Sequence, residues 1–267
     1  MDGPGRTSAG EGRTSVSDIL RADAHRPWPL PRRPWIMFQS WRGLLFAHWR
    51  IEAATLGSLL PPPLELDLYH GDAWLGIAPF RVRALRARLL PPLPWGSTFP
   101  EINVRTYVRA GGRACVYFFS LDAGSTAAVL GARAAYRLPY RRADMEMTGD
   151  GDTGDESGVR FTSVRRGEDA RFTARYRPTG PVAVPRPGTL EHFLTERYAL
   201  ATVVRDGRVL QADIHHGPWA LQPATAAIEV NTMAAAAGVP LPDEEPLLHF
   251  SARQDTLVWA PRAEPPR

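Results

Sequence analysis

Glu101-Ile102-Asn103-Val104-Arg105-Thr106-Tyr107-Val108-Arg109-Ala110-Gly111-Gly112-Arg113-Ala114-Cys115-Val116-Tyr117-Phe118-Phe119-Ser120-Leu121 is the stretch whose reading decides the fold. Glu101 to Ala110 forms one arm and Arg113 to Leu121 the other. Between them, Gly111-Gly112 supplies the positive φ angles of a tight hairpin turn. Side chains alternate along a strand, so Glu101, Asn103, Arg105 and Tyr107 share one face while Ile102, Val104 and Thr106 share the other. The returning arm is apolar on both faces through Val116-Tyr117-Phe118-Phe119. The pattern leaves two placements open for the polar row, one facing water on an edge strand and one lining a pocket. Its lone cysteine, Cys115, reads as a core residue, because a reactive thiol needs a basic, open setting.

Further strands flank this hairpin. Leu64 to Tyr69 alternates strictly, as a half-buried strand does, and His70-Gly71-Asp72 turns into a second strand from Ala73 to Arg83. Trp41 to Ile51 is strand-like. Glu52 to Leu60 has helical composition and stops at Pro61-Pro62-Pro63, which cannot continue a helix. Pro91 to Pro100 marks a loop. Ser125 to Tyr136 reads as a capped helix, after which Leu138-Pro139-Tyr140 opens a strand. Val159 to Arg166 pairs with Ala170 to Arg177, and Tyr198 to His216 is a strand pair turning at Asp206-Gly207. Short helices fall at Gly188 to Arg197 and Thr232 to Ala237, and strands at Leu247 to Arg253 and Thr256 to Ala260. Many short strands with few short helices give an α+β, mainly β class. The expected layout is a disordered leader over 1–34, rich in Gly, Ser, Pro and charge, one domain over 35–262, and a tail over 263–267.

The chain has 267 residues, ample for one large core. No run approaches the ~18 apolar residues of a membrane helix. With one cysteine, no disulfide forms within the chain, and no cleavable export signal is evident, so the expected location is the cytoplasm. All 32 basic residues are arginine, and the net charge is only +4. Without lysine, no side-chain amine can form a Schiff base. The arginines are spread along the chain, so nucleic acid is not an expected partner.

Cofactor motifs fail in context. Gly149-Asp150-Gly151-Asp152-Thr153-Gly154 matches GxGxxG, but no helix follows and its aspartates would repel a pyrophosphate. Read as a calcium loop, the same segment puts Gly154 and Phe161 where ligands are required. His192 and Glu196 could share one metal face but have no evident third ligand. His215 and His216, adjacent on a strand, point to opposite faces, one expected buried and one exposed. GxSxG and P-loop strings are absent, so no cofactor and no metal is expected. Homo-oligomerisation stays open.

Trp74-Leu75-Gly76-Ile77-Ala78-Pro79-Phe80, Glu101 to Val108, Tyr117-Phe118-Phe119-Ser120-Leu121-Asp122, Ala132-Arg133 with Leu138-Pro139-Tyr140, and Phe193-Leu194-Thr195-Glu196-Arg197-Tyr198 resemble, in order, the YqjF-like family (domain of unknown function 2071). The likeness spans Trp35 to Ala260. That family is similar to the acetoacetate decarboxylases, which implies a closed, cone-shaped β-barrel around a central cavity and turns the polar row inward. Decarboxylases of that type place an imine-forming lysine after a Gly-aromatic-Pro motif. The similar position here is held by Tyr140, so the resemblance carries the fold but not the reaction. The implied cavity residues are Glu101, Asn103, Arg105, Arg133, Tyr140 and His216. Glu101 and Arg105, four apart on a strand, lie about 13 Å apart and do not pair directly, which makes Arg133 the expected partner of Glu101.

Three functions follow from that site, in order of expectation. The first is non-covalent binding of a small organic acid or aromatic ligand, gripped by Arg105 or Arg133. The second is a non-Schiff-base enzyme (an isomerase, cyclase or lyase) with Glu101 or His216 as base and Tyr140 as acid. The third is a ligand-free structural or interaction module with a solid interior.

Overall fold

A computed structural model describes residues 15–92, 96–126, 129–131, 136–149 and 158–263. Chain order runs α1 (Val16–Arg21), β1 (Met37–Ile51), α2 (Ala53–Ser58), β2 (Glu65–Leu66), β3 (Ala73–Ala87), β4 (Phe99–Ala110), β5 (Arg113–Ala123), β6 (Tyr140–Thr148), β7 (Val159–Arg165) and β8 (Arg171–Pro178). It continues through α3 (Leu190–Thr195), β9 (Ala199–Val203), β10 (Val209–His216), β11 (Gln222–Asn231), α4 (Met233–Ala236), β12 (Leu247–Val258) and β13 (Arg262–Ala263).

The sheet closes on itself twice. Strands β12, β1, β3, β4 and β5 pair in that order and form one wall. At each edge of the wall the sheet forks. Val116 and Tyr117 of β5 pair with β9, whereas Leu121 to Ala123 pair with β6, both in parallel. On β12, Gln222 and Pro223 of β11 meet Phe250 and His249, whereas Ile214 to His216 of β10 meet Val258 to Thr256. Strands β9 and β10 therefore close a seven-stranded ring on one side of the wall. On the other, β6, β7, β8 and β11 close a ring of nine. This is the closed, mainly β architecture expected from the resemblance.

Both faces of the wall are buried, and the two interiors differ. Ile102 and Val104 of β4 join Leu45, Ile77, Phe161, Phe172 and Phe250 in a packed core filling the nine-stranded ring. The opposite face of β4 turns Glu101, Asn103 and Arg105 into the seven-stranded ring.

Three β-bulges keep the correct side chains on that face. An extra residue in one strand flips the alternation beyond it. In β1 the shift against β3 falls between Arg42 and Ala47, where Gly43 adopts φ +55°. Met37, Gln39 and Trp41 face the ring interior before it, and Leu44 and Phe46 after it. In β3 a shift falls at Ala84 (φ +53°), and in β5 at Phe119, so that Phe118 and Leu121 both face inward.

The hairpin is as expected, with Gly111 at φ +54° and Gly112 at φ +76°. Other expectations need correction. The strand over Leu64 to Tyr69 reduces to Glu65–Leu66, because Asp67 turns away to pair with Arg197. Leu247 to Val258 is one strand, held through its middle by Ser40 donating to Asp255 at 2.6 Å. Strand β11 had no counterpart in the sequence reading; its alanines have little strand propensity, and pairing with β8 supplies the order. The segment read as a disordered leader is, from Ser15 onward, packed on the body: α1 has a Ser15 capping box, and Ile19 is buried with Trp35, Leu257 and Trp259. That segment covers the outer face of β10, so His215 is buried along with His216, not exposed. Among the described residues, Thr126, Val129–Gly131 and Tyr136 of the expected helix are helical. The GxGxxG string falls outside them beyond Gly149, and no helix among them is long and apolar enough to cross a membrane.

Candidate functional site

The seven-stranded ring encloses a cavity of about 620 Å³. Its walls are mostly apolar, built by Trp41, Phe80, Phe118, Leu200, Ile214 and Trp219. Polar groups enter it along β4 and from the turn after α3. A cavity of this size with a few convergent polar groups is the usual form of a small-molecule site.

Strand β4 positions Glu101 between β3 and β5, and 5% of it is exposed. The Tyr140 hydroxyl donates to Glu101 Oε2 at 3.2 Å. Burial pushes the Glu101 carboxyl up to about 8, reinforced by the nearby Asp122 charge and opposed by the Tyr140 bond. At neutral pH this group is therefore a neutral acid able to donate as well as accept. Burial and the adjacent Glu101 also hold the Tyr140 hydroxyl well above its ordinary range, so it keeps its proton. The partner expected for Glu101, Arg133, lies outside the described residues.

Arg86, over the Trp35 and Phe38 rings, also lines the cavity, but the cation on β4 is Arg105. Its Nη2 donates to the Leu194 carbonyl at 3.3 Å, and its guanidinium carbon lies 5.0 Å from the Phe46 ring centre. Its Nε is buried without a hydrogen-bond partner, and no carboxylate lies within ion-pair distance of it among the described residues. Gly76, opposite Arg105 on β3, makes room: a Cβ there would lie 3.1 Å from the His48 ring and 3.3 Å from Arg105 Cγ. Asn103, two residues before Arg105 on the same face, leaves Oδ1 buried and unpaired.

Behind Arg105, Tyr107 links His48 to the turn after α3, with His48 Nδ1 left buried and unbonded. The Tyr107 hydroxyl donates to the Leu194 carbonyl at 2.7 Å and accepts from His48 Nε2 at 2.7 Å. Burial first, then the Arg105 charge, lowers the His48 ring well below its usual range, so it stays neutral. Arg197 also lines the cavity but is spoken for: it pairs with Asp67 at 2.5 Å and donates to the Phe193 carbonyl at 2.7 Å.

His216 lines the cavity, yet its Nδ1 is 2.7 Å from the Gly217 carbonyl and its Nε2 3.3 Å from the Arg197 carbonyl. Burial lowers its ring, which stacks on Tyr198. Both nitrogens meet backbone carbonyls, so the geometry makes His216 a wall residue and not a free base. His192 and Glu196 do not converge either: Glu196 accepts from the Trp219 amide at 2.8 Å and from the Tyr198 hydroxyl. No group of three metal-ligating side chains is assembled among the described residues.

The structure thus brings Glu101, Asn103, Arg105, Tyr140 and His216 to one cavity. Sequence reasoning did not anticipate Tyr136 and Trp219, whose hydroxyl and Nε1 are buried, unpaired and at the cavity wall. Neither lies in a periodic strand pattern, and an isolated aromatic carries no local signal for a cavity.

Known proteins share this chain's sequence and fold. The profile of the family DUF2071, described as an uncharacterized conserved protein, matches residues 38–255. The uncharacterized protein YqjF of Bacillus subtilis (strain 168) is 46% identical over 231 residues, covering 86% of this chain and 93% of its own. Among solved structures, the enduracididine biosynthesis enzyme MppR complexed with pyruvate superposes with a TM-score of 0.58 at 12% identity, covering 89% of this chain and 93% of that one. Acetoacetate decarboxylase from Legionella pneumophila (subsp. pneumophila str. Philadelphia 1) superposes at 0.57 with 14% identity, covering 92% and 94%. The last two share the fold.

Proposed function

We propose, from the premise that this chain belongs to the family DUF2071, that its seven-stranded ring is a receptacle holding a small organic acid non-covalently. The observation that carries the reading is Arg105. It lines a cavity large enough for a ligand, half-buried, and no carboxylate lies within ion-pair distance of it among the described residues, so its charge is left without a counter-ion. A ligand carboxylate would complete the pair with charge-assisted hydrogen bonds. Glu101, neutral at pH 7, would not repel that anion. MppR, of the same fold, forms a complex with pyruvate, which supports an acid as the ligand class. A ring serving only as scaffold would be filled as its nine-stranded neighbour is, so the cavity weighs against a purely structural role.

A second reading rests on the Glu101–Tyr140 pair. A carboxyl raised to about 8 and hydrogen-bonded to a phenol is poised for proton transfer near neutrality. Enzymes that move a proton next to a carboxylate use such pairs, and no imine is required. Turnover of a bound acid that disappears in Glu101→Gln while binding persists would favour it.

Native mass spectrometry of the protein purified from its own host, followed by denaturation, tests the first reading. A released organic acid, absent from the Arg105→Gln variant, is the expected result. An empty protein that also shows no thermal shift with any of a panel of carboxylates would overturn it.

A further inference from the structure

The cavity is much larger than a three-carbon keto acid requires. Liquid water occupies roughly 30 Å³ per molecule, so about 620 Å³ is the room of about 20 waters. Its polar groups are not evenly spread. The polar row runs lengthwise from Arg105 through Asn103 to Glu101, which sits opposite Phe80 of β3. From there the wall turns aromatic: Trp41 stacks near-parallel to Trp219 with ring centres 6.0 Å apart, and Phe80 leans on Trp41 at 5.6 Å. The opposite end is a rim where Leu85, Leu90 and Pro91 stand beside Arg86 and Ser97. Leu90 lines it at 60% exposure, and its neighbour Leu89 is 88% exposed. Leu89 adopts φ +66°, a conformation leucine rarely takes.

We infer that the occupant is an amphipathic carboxylic acid of up to about 20 non-hydrogen atoms, lying along the cavity with its carboxylate on Arg105 and its apolar body running over Trp41, Phe80 and Trp219 to the Leu90 rim. This rests on the reading of Arg105 as the anion anchor and adds the size, polarity and direction of the ligand. A medium-chain or aryl-substituted acid has this shape.

Titration calorimetry with pyruvate, butanoate, hexanoate, octanoate, decanoate and 3-phenylpropanoate tests the inference on the full chain. Burying one methylene is worth ~0.8 kcal/mol, so affinity should rise about fourfold per added methylene until the cavity is full. Leu90→Asp, at an exposed position, should reduce that rise most for the longest acids, and Arg105→Gln should weaken every member by a similar factor. A flat series in which pyruvate binds as tightly as decanoate, with Arg105→Gln still weakening both, would overturn the amphipathic ligand while leaving an anion site in place. If no member binds the wild type, or if Arg105→Gln binds them all unchanged, the anchor itself is wrong and both readings fall.

Discussion

The two rings share one wall and use it in opposite ways. On the nine-stranded side, Ile102 and Val104 of β4 meet Phe161, Phe172 and Phe250, and space is filled by side chains. On the seven-stranded side, the alternate residues of the same strand, Glu101, Asn103 and Arg105, face open volume. Adjacent residues of one strand thus belong to a core that stabilises and a cavity that leaves polar groups unpaired. Protein interiors are close-packed wherever nothing is gained by a void. A single strand with one packed face and one open face localises the functional side of the molecule, since stability is supplied by one ring and forgone in the other.

The sharpest way to break that contrast is to truncate matched aromatics. Phe172→Ala in the nine-stranded ring removes a fully buried ring and should cost about 3–5 kcal/mol, read as the denaturant midpoint with an unchanged m-value. Phe118→Ala on the cavity wall, where the side chain is only partly buried, should cost less than half as much. Equal costs would mean that the cavity side is as tightly packed as the core.

Arg105→Gln sharpens the contrast from the other side. Without ligand, its stability should stay close to wild type, because no ion pair is lost with it. Affinity for an acid should fall by about 1.5–3 kcal/mol, the worth of a charge-assisted hydrogen bond. A variant that loses several kcal/mol of apo stability would assign Arg105 to the scaffold.

Glu101 gives a gentler signature. Its carboxyl, held at about 8 in the folded state against 4.5, keeps a proton that the unfolded chain releases. Stability is therefore greatest below pH 4.5 as far as this group is concerned, and declines as pH rises toward about 8. The slope is no steeper than about 1.4 kcal/mol per pH unit. Glu101→Gln should remove that decline. His215 should act with the opposite sign and the smallest amplitude. Its Nε2 donates to the Ile19 carbonyl at 2.7 Å, and burial first, with Arg26 and the neighbouring histidines, lowers its ring to about 4. The neutral ring's contribution is present above pH 6.5 and lost as pH falls toward 4. Residues 15–34 should then become more open to proteolysis at pH 4.5 than at pH 7, and a His215→Gln variant should show less of that difference.

The sequence was most readable where local chemistry decides structure. Gly111-Gly112 dictates its turn, Asp206-Gly207 does the same, and the prolines after Leu60 stop α2 without help from elsewhere. The polar row on β4 was visible as a row, but its direction was not: periodicity assigns residues to faces and leaves open which face is inside. The resemblance supplied the direction. The bulges at Gly43, Ala84 and Phe119 were not legible, since a one-residue shift depends on the partner strand's register. Strand β11 and the docking of Ser15 to Pro34 on β10 depend likewise on tertiary pairing. The same holds for Tyr136 and Trp219, which reach the cavity from segments far from β4 in sequence.

The central claim, that the seven-stranded ring is the binding chamber and the nine-stranded ring the scaffold, is tested most directly by a crystal structure determined with 3-phenylpropanoate. One bound acid should appear there, with its carboxylate on Arg105 and its ring beside Trp41 and Trp219. An acid seated elsewhere, or crystals whose cavity is filled by side chains with Arg105 ion-paired to a protein carboxylate, would contradict it.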